Sequence, residues 1–217
     1  MPAVKITTYD ELLAAGSSWL NRGDLDDQMP AFVTLAEAQF NRELRLRDMM
    51  VRTDCTSDQE MVELPDDFLE HYSLVVAPGP PPAPPGYTPT PLRYMSEKES
   101  NAAKAAAYGQ GGPPTGYTLI GNAFELVLAP AGDVNLKMVY YARIPDLSTS
   151  VQSNWLLAKS PDLYLYSTCM QAEPYLKNDD RLQTWAAIRS SLMENMRMES
   201  EAAMRPRSGL IAMAKAF

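Results

Sequence analysis

Histidine and cysteine are scarce in this sequence. Its 217 residues include one histidine, His71, and two cysteines, Cys55 and Cys169. A single histidine excludes every metal site built from several histidines and leaves one possible centre for imidazole chemistry. Two cysteines cannot form a framework of bridges, and their spacing gives no reason to pair them, so we expect a reducing compartment.

Long hydrophobic runs are also missing. No apolar run approaches the roughly 18 residues that a bilayer span needs. The first residues, MPAVKITTYDELLAAG, lack a basic start followed by an apolar block and a cleavage site. We therefore expect a soluble protein, made in the cytoplasm and without a membrane partner. The length suits one domain with an elaboration or two small ones.

Basic residues are scarce over most of the chain. Residues 1–180 carry 13 Lys and Arg against 24 Asp and Glu, whereas residues 181–217 carry 6 against 3. An acidic body repels phosphate, which argues against wrapping of DNA through many cationic contacts. The basic C-terminus could still bind an acidic partner.

Two helices are predicted in the first fifty residues. Thr8 with Glu11 forms a capping-box pattern that opens a helix over about 9–21, with Leu12, Leu13, Trp19 and Leu20 as its apolar face. A second helix is predicted from about Pro30 to Met49, and its expected inward residues are Phe32, Leu35, Ala36, Phe40, Leu44 and sometimes Leu46. Its polar face is expected to be solvated or to contact another subunit; it carries Glu37, Arg42, Glu43, Arg45 and Arg47.

The middle of the chain changes to a two-residue period. Short strands are expected between residues 51 and 76, and an antiparallel meander between 117 and 141 with a Gly121-Asn122 turn. Eight prolines occupy positions 78–91, which predicts an extended surface loop. Ser96 with Glu99 opens a short helix to about Ala107.

The last third returns to helical spacing. Ser160 and Pro161 start a helix with Leu165, Cys169, Ala172 and Leu176 on its apolar stripe. A final helix runs from about Asp180 to Met204, with a predicted stripe of Leu182, Trp185, Ile188, Leu192 and Met196.

These patterns predict an α+β protein. We expect a mainly helical bundle body, an inserted small antiparallel β-sheet, and extended loops with a C-terminal arm. The corresponding division is a helical body of residues 1–50 and 154–204, a β-rich insertion of 51–153 that carries the proline-rich loop 78–91, and an arm of 205–217.

Acidic pairs are the first candidates for catalysis. Asp26/Asp27, Asp66/Asp67 and Asp179/Asp180 all lie at expected turns or helix starts, where aspartate caps free backbone amides. Adjacent carboxylates point in different directions, whereas an acid–base pair must face one cleft. Capping is therefore the favoured interpretation.

A cysteine nucleophile is the second candidate. Cys169 would need a base, and only His71 could supply an imidazole. Position 169 falls on an apolar stripe, which favours a core thiol. No metal-ligand spacing and no phosphate-binding glycine motif occurs, so no catalytic, metal or cofactor residues are predicted.

Several segments together resemble the head-to-tail connector proteins of tailed bacteriophages, also called adaptor or head-completion proteins, which dock beneath the portal. The matching segments are 32–45, 64–70, 91–94, 140–148, 154–157, 161–166 and 172–177. Their order and spacing extend over about residues 28–190. The proline insertion at 78–91 and the Met-rich, basic C-terminus depart from the pattern.

The resemblance implies a structural role in the virion without catalysis. It implies a homo-oligomeric ring, commonly of about twelve copies, that binds the portal on one side and tail or nozzle proteins on the other. Packaged DNA would pass through this ring without sequence-specific binding, and the protein would reside in the neck between capsid and tail. An acidic body suits a channel through which DNA must slide.

The C-terminal residues are the candidate partner-binding site. Pro206 and Gly209 end the preceding helix, yet the residues that follow are too apolar for a tail in water. We expect an intersubunit arm that binds a neighbouring copy or the portal through Arg205, Arg207, Leu210, Ile211, Met213, Lys215 and Phe217.

Two rival functions come from other classes. One is a small cytoplasmic hydrolase that uses His71 with Cys169 or an aspartate pair. The other is a binding module whose proline loop recruits a partner with a groove.

Overall fold

A computed structural model describes residues 5–77, 88–107, 112–130, 132–176 and 182–205. The chain divides into two compact units, one of residues 1–48 with 144–217 and one of residues 49–143. Each unit has its own secondary structure, helical in the first and largely β in the second.

Five α-helices build the first unit within the described ranges. They are α1 (Tyr9–Leu20), α2 (Met29–Glu43), α4 (Trp155–Lys159), α5 (Pro161–Leu176) and α6 (Leu182–Met204). Helix α3 (Glu97–Ala106) belongs to the second unit. α5 is the central helix, because α1, α2, α4 and α6 all contact it.

Helix starts follow the sequence signals closely. The Thr8 side chain accepts a hydrogen bond from the Glu11 amide, and the Glu11 carboxylate accepts one from the Thr8 amide, which confirms the first capping box. Pro30 lies in the first turn of α2, where its missing amide costs nothing. α2 ends at Glu43 rather than near Met49, and a short 3₁₀ turn, Arg47–Met49, follows it.

The apolar face of α2 is shifted from the predicted one. Phe32, Ala36 and Phe40 are buried as expected, but Leu35 is 50% exposed. The buried row instead includes Val33 and Glu37, which are the next positions along one helix face. The placement of Leu35 in the core was therefore wrong.

The stripe of α6 is shifted in the same way. Trp185 and Met196 are buried as predicted, whereas Leu182, Ile188 and Leu192 are only half-buried. The buried row consists of Trp185, Arg189, Met193, Met196 and Ser200. Arg189 and Ser200 can take core positions because each has a polar partner outside α6. Arg189 Nη2 donates to Glu43 Oε1 at 3.0 Å. Ser200 Oγ accepts from the Arg47 amide at 2.7 Å.

Eight strands and one helix build the second unit within the described ranges. They are β1 (Met50–Ser57), β2 (Met61–Glu63), β3 (Phe68–Ala77), β4 (Thr90–Pro91), β5 (Arg93–Tyr94), α3 (Glu97–Ala106), β6 (Gly116–Ile120), β7 (Ala123–Val127) and β8 (Val134–Ala142). The Ser96–Glu99 capping box opens α3 as predicted. Lys104 holds α3 to the sheet through ion pairs with Glu60 and Glu125.

The strands form two four-stranded sheets. The first has the order β1-β8-β3-β4 and is antiparallel, with Met50 opposite Tyr141 and Ser57 opposite Val134. The second has the order β2-β7-β6-β5, and its β5–β6 pair is parallel. The two sheets contribute to one core, which includes Leu74 and Met138 from the first and Phe124 and Leu126 from the second.

The meander prediction was right for one hairpin and wrong for the third strand. β6 and β7 pair through the two-residue turn Gly121-Asn122, where Gly121 takes the left-handed conformation with φ of 60°. β8 does not continue that sheet and pairs with β1 and β3. Leu128, directly after β7, has φ of 75°, so the chain turns sharply before it joins the first sheet.

The predicted fold class was therefore wrong in its proportions. Helices take 47% and strands 25% of the structure, and the described strands form two sheets, so the protein is not a mainly helical bundle with one small inserted sheet. A single sheet would leave one face of the alternating strands in water, and the second sheet covers that face. The β-rich part thus has a core of its own rather than borrowing one from helices.

Two predicted features lie largely outside the described residues. Of the proline-rich loop 78–91, only residues 88–91 are described, and Thr90–Pro91 pair with Val76 and Val75 of β3. The C-terminal arm is described only at Arg205. Among the helices of the described ranges, none combines the length and apolar character that a bilayer crossing requires.

Candidate functional site

Glu37 is the buried carboxylate of the helical unit. It lies on α2 beside Val33 and Phe40 and is only 2% exposed. Four other charged residues of the same predicted polar face, Arg42, Glu43, Arg45 and Arg47, are exposed or half-buried. The expectation of a solvated face was therefore wrong for Glu37, which points into the core.

Two donors bind one oxygen of the Glu37 carboxylate. Its Oε1 accepts a hydrogen bond from the Leu147 amide at 2.9 Å and one from the Tyr164 hydroxyl at 3.0 Å. Leu147 lies in the segment between β8 and α4, and Tyr164 lies in the first turns of α5. One oxygen atom thus joins α2 to two distant parts of the chain.

Asn154 extends this network. Its Nδ2 donates to the Tyr164 hydroxyl at 2.7 Å and to the Pro145 carbonyl at 2.7 Å. Its Oδ1 accepts from the Leu157 amide at 2.8 Å and so caps α4. All three hydrogen-bonding positions of one side chain serve different segments, which specifies the geometry of the loop before α4.

Asn41 makes a parallel link one helical turn further along α2. Its Oδ1 accepts a hydrogen bond from the Ile144 amide at 2.9 Å. Asn41 and Glu37 are four residues apart and therefore share a face of α2. Together they hold the extended segment 144–147 along that face.

Burial controls the electrostatics of this cluster. Removal from water raises the pKa of Glu37 to about 7, against the lowering effect of the hydrogen bonds from Leu147 and Tyr164, and the charge of Asp146 adds to the rise. Burial, followed by the negative charge of Glu37, raises the pKa of Tyr164 above its usual range. The cluster can take up a proton near neutral pH, but it lies in the core, with the Phe40 ring 5.1 Å from Tyr164.

The buried cluster unites segments that carried the sequence resemblance. Glu37 and Asn41 come from 32–45, Leu147 from 140–148, Asn154 from 154–157 and Tyr164 from 161–166. Composition gave no sign of the cluster. The available signal was an acidic residue at core spacing: Glu37 follows Val33 by four positions and precedes Phe40 by three.

An apolar groove lies on the surface of the helical unit between α1 and the α4–α5 corner. It encloses about 570 Å³, and its walls include Ala14, Ser18 and Trp19 on one side and Ala158, Leu165 and Tyr166 on the other. Trp19, predicted to face the core, is instead 48% exposed and meets Tyr166 edge to face at 5.5 Å. An exposed indole in an apolar groove is typical of a protein contact.

The residues of the hydrolase hypothesis have separate surroundings. His71 lies on β3 in the second unit and stacks on Tyr94 at 4.3 Å. Cys169 lies on α5 in the first unit and is fully buried. Each residue thus has a packing role within its own unit, as the core interpretation of Cys169 predicts.

One residue of each described aspartate pair has a structural partner. Asp26 accepts a hydrogen bond from Ser17 Oγ at 2.5 Å. Asp67 accepts one from the Tyr140 hydroxyl at 2.8 Å, and burial together with this bond raises the pKa of Tyr140 to about 12. Asp179 and Asp180 lie outside the described residues. Across the ranges that the structure describes, no group of three His, Cys, Asp or Glu side chains is arranged to hold a metal ion.

The predicted partner-binding residues fall almost entirely outside the described part. Arg205 is exposed and lies 3.7 Å from Glu201 in an ion pair one turn apart. Arg207, Leu210, Ile211, Met213, Lys215 and Phe217 lie beyond the described residues, so their role stays a prediction.

Comparison with known families gives one match that extends over most of the chain. The model of the SU10 adaptor protein family matches residues 7–210. A search of curated proteins finds no match. The family match confirms the resemblance that the separate segments indicated.

Proposed function

Because the chain belongs to the SU10 adaptor protein family, a family of phage head-to-tail adaptors, we propose that it forms a ring that joins the portal to the tail. The match over residues 7–210 is the observation that carries this proposal. The ring would bind the portal on one face and tail or nozzle proteins on the other, in the neck of the virion. Synthesis takes place in the host cytoplasm.

The charge distribution supports a channel-lining role. Residues 1–180 hold 24 acidic side chains against 13 basic ones. A ring of such subunits presents a negative surface to DNA, so the duplex passes without binding. The proposed function therefore needs neither a catalytic centre nor a cofactor.

Symmetry supports a role for the C-terminal residues between subunits. In a closed ring every copy offers the same surface to its neighbour, so one weak contact is repeated about twelve times. Arg205, Arg207 and Lys215 bring positive charge to an acidic body, and the apolar residues between them need a cover. The arm of 205–217 would bind a neighbouring copy or the portal.

Native mass spectrometry tests the proposal with the purified full-length chain and the portal protein of the same virus. We expect a complex whose mass corresponds to one portal ring plus one adaptor ring. The matched control is the portal protein with an unrelated acidic protein of similar mass. A chain that stays monomeric and never associates with the portal would contradict the proposal.

A mobility-shift assay tests the channel property separately. We expect no retention of duplex DNA by the protein at physiological salt, since binding through phosphates requires cationic contacts. Tight DNA binding by the isolated chain would argue against passage of DNA through the ring.

A further inference from the structure

The groove between α1 and the α4–α5 corner is large enough for several side chains. Its volume of about 570 Å³ exceeds what one side chain fills. Among the described residues of its wall, Lys5 and Asp162 are the charged ones and have opposite signs, so this lining is mostly apolar and has no net charge. The half-exposed Trp19 offers a large flat contact on the α1 side.

The C-terminal sequence has the pattern of a groove ligand. Leu210, Met213 and Phe217 follow one another at i, i+3 and i+7, a spacing that would put them on one face if the segment were helical. Lys215 would then lie on another face, in contact with water. Apolar side chains at this spacing are the anchors of a helix that binds in a hydrophobic groove.

Glu199, in the last two turns of α6, contacts a residue next to the groove wall. Glu199 Oε2 is 3.5 Å from Lys159 Nζ, and the neighbouring Ala158 lines the groove. α6 ends at Met204, about 8 Å beyond Glu199 at the rise of an α-helix. The twelve residues after Arg205 can span up to about 40 Å when extended, so reach does not limit this contact.

We infer that the groove is the receptor for residues 209–217 of this chain type, with Leu210, Met213 and Phe217 inserted against Trp19 and Leu165. The inference gives the C-terminal arm a defined binding site. It does not depend on the ring or on the portal, because groove and segment are both parts of the same polypeptide.

Disulfide trapping in the full-length chain tests this assignment. Ser18→Cys places a thiol in the groove, and Ala214→Cys places one on the same face as Leu210. The matched control pairs Ala214→Cys with Thr34→Cys, an exposed position of α2 that does not line the groove. We expect about tenfold more disulfide in the first pair, since docking raises the local thiol concentration.

The size of the trapped product identifies the donor of the segment. When Ser18→Cys and Ala214→Cys are carried on separate chains and mixed, a crosslinked dimer shows exchange between copies. When both are on one chain, a monomeric link shows that the segment binds its own groove. Either product supports the groove as the receptor, although a purely monomeric link would remove the arm between subunits proposed above.

Tryptophan fluorescence supplies a test without cysteines. Trp155 and Trp185 are more buried than Trp19, so a change at the groove is reported mainly by Trp19. We expect a red shift of emission in the Leu210→Asp variant, which is absent when Trp19→Phe is also present. Equal disulfide yields at Ser18 and Thr34, or an unchanged spectrum, would overturn the assignment. A further variant pairs Ser18→Cys with Ala3→Cys instead of Ala214→Cys. Efficient disulfide formation in that pair would show that the N-terminal residues occupy the groove, which would also overturn the assignment.

Discussion

Tyr164 donates a hydrogen bond to Glu37 across 127 positions of sequence, with the hydroxyl oxygen 3.0 Å from Oε1. The bond joins the central helix α5 to α2 within the helical core. The bond also holds an acidic side chain inside the core, where burial makes its charged form unfavourable. Stability of this unit should therefore respond to pH through one identifiable group.

Glu37→Gln should flatten the pH dependence of stability. The pKa of Glu37 is raised from 4.5 to about 7, so its stabilising contribution is complete below the unfolded value and is lost as pH rises through about 7. We expect the wild-type protein to lose on the order of 2 kcal/mol between about pH 5 and pH 8, and the variant much less. Denaturant unfolding at both pH values measures this.

Glu194→Gln is the matched control for that experiment. Glu194 is an exposed acid of the same unit and pairs with Arg197 at 3.8 Å on the surface. Its replacement should leave the pH profile unchanged, because surface pairs contribute little. A profile that stays steep in Glu37→Gln would contradict this assignment and place the pH response on another group.

Tyr164→Phe should destabilise the helical unit, whereas Tyr166→Phe should not. The first change removes the hydroxyl that accepts from Asn154 and donates to Glu37, at a cost of about 1–3 kcal/mol. Tyr166 is half-buried at the groove, and loss of its hydroxyl should stay within about 0.5 kcal/mol. Chemical denaturation compares the two variants, and equal losses would contradict a special role of the buried network.

Loss of the Tyr164 hydroxyl should also move the pH response. Its hydrogen bond lowers the pKa of Glu37, so Tyr164→Phe should raise that pKa further. The midpoint of the stability–pH curve should then shift to a higher value. An unshifted midpoint would show that the carboxylate finds another donor.

The proline-rich segment should be dispensable for folding. We predict that replacing residues 79–87 by a short Gly-Ser turn leaves the melting temperature within a few degrees, because prolines cannot donate to a sheet ladder. Thr90 and Pro91 are kept, since they pair with β3. A large drop would show that the segment packs into the fold, whereas failed tail attachment at an unchanged melting temperature would identify it as a docking loop.

Changes at His71 and Cys169 should spare virion assembly. His71→Gln loses a ring contact with Tyr94, and Cys169→Ala leaves a small cavity at a cost of about 1 kcal/mol. Both proteins should still build infectious particles, as plaque counts and electron micrographs can establish. Complete but non-infectious particles would indicate a catalytic function and contradict a purely structural one.

Local signals in the sequence predicted the helix starts well. The two capping boxes, Thr8 with Glu11 and Ser96 with Glu99, require only residues three apart, so they form wherever the helix forms. The hairpin at Gly121-Asn122 is local in the same sense. Such features depend on few tertiary contacts and are therefore visible in the sequence.

Buried polar residues could not be predicted in this way. Glu37 and Arg189 can occupy core positions because they bond to Tyr164 and Glu43. These partners lie more than a hundred positions away in the sequence, so no local pattern identifies them. Without those partners each charge would belong on the surface, which is how hydropathy assigns it. The second sheet could not be predicted for the same reason, because strand periodicity does not indicate which strands pair with each other.

The buried cluster also determines when the helical unit can be completed during synthesis. Glu37 leaves the ribosome 110 residues before Leu147 and 127 before Tyr164. At translation rates of about 5–20 residues per second, Leu147 and Tyr164 are synthesised roughly 6–25 s after Glu37. In that interval Phe32 and Phe40 have no α5 to cover them, and Glu37 remains hydrated and charged. The nascent helix α2 therefore exposes apolar surface until α5 has been synthesised.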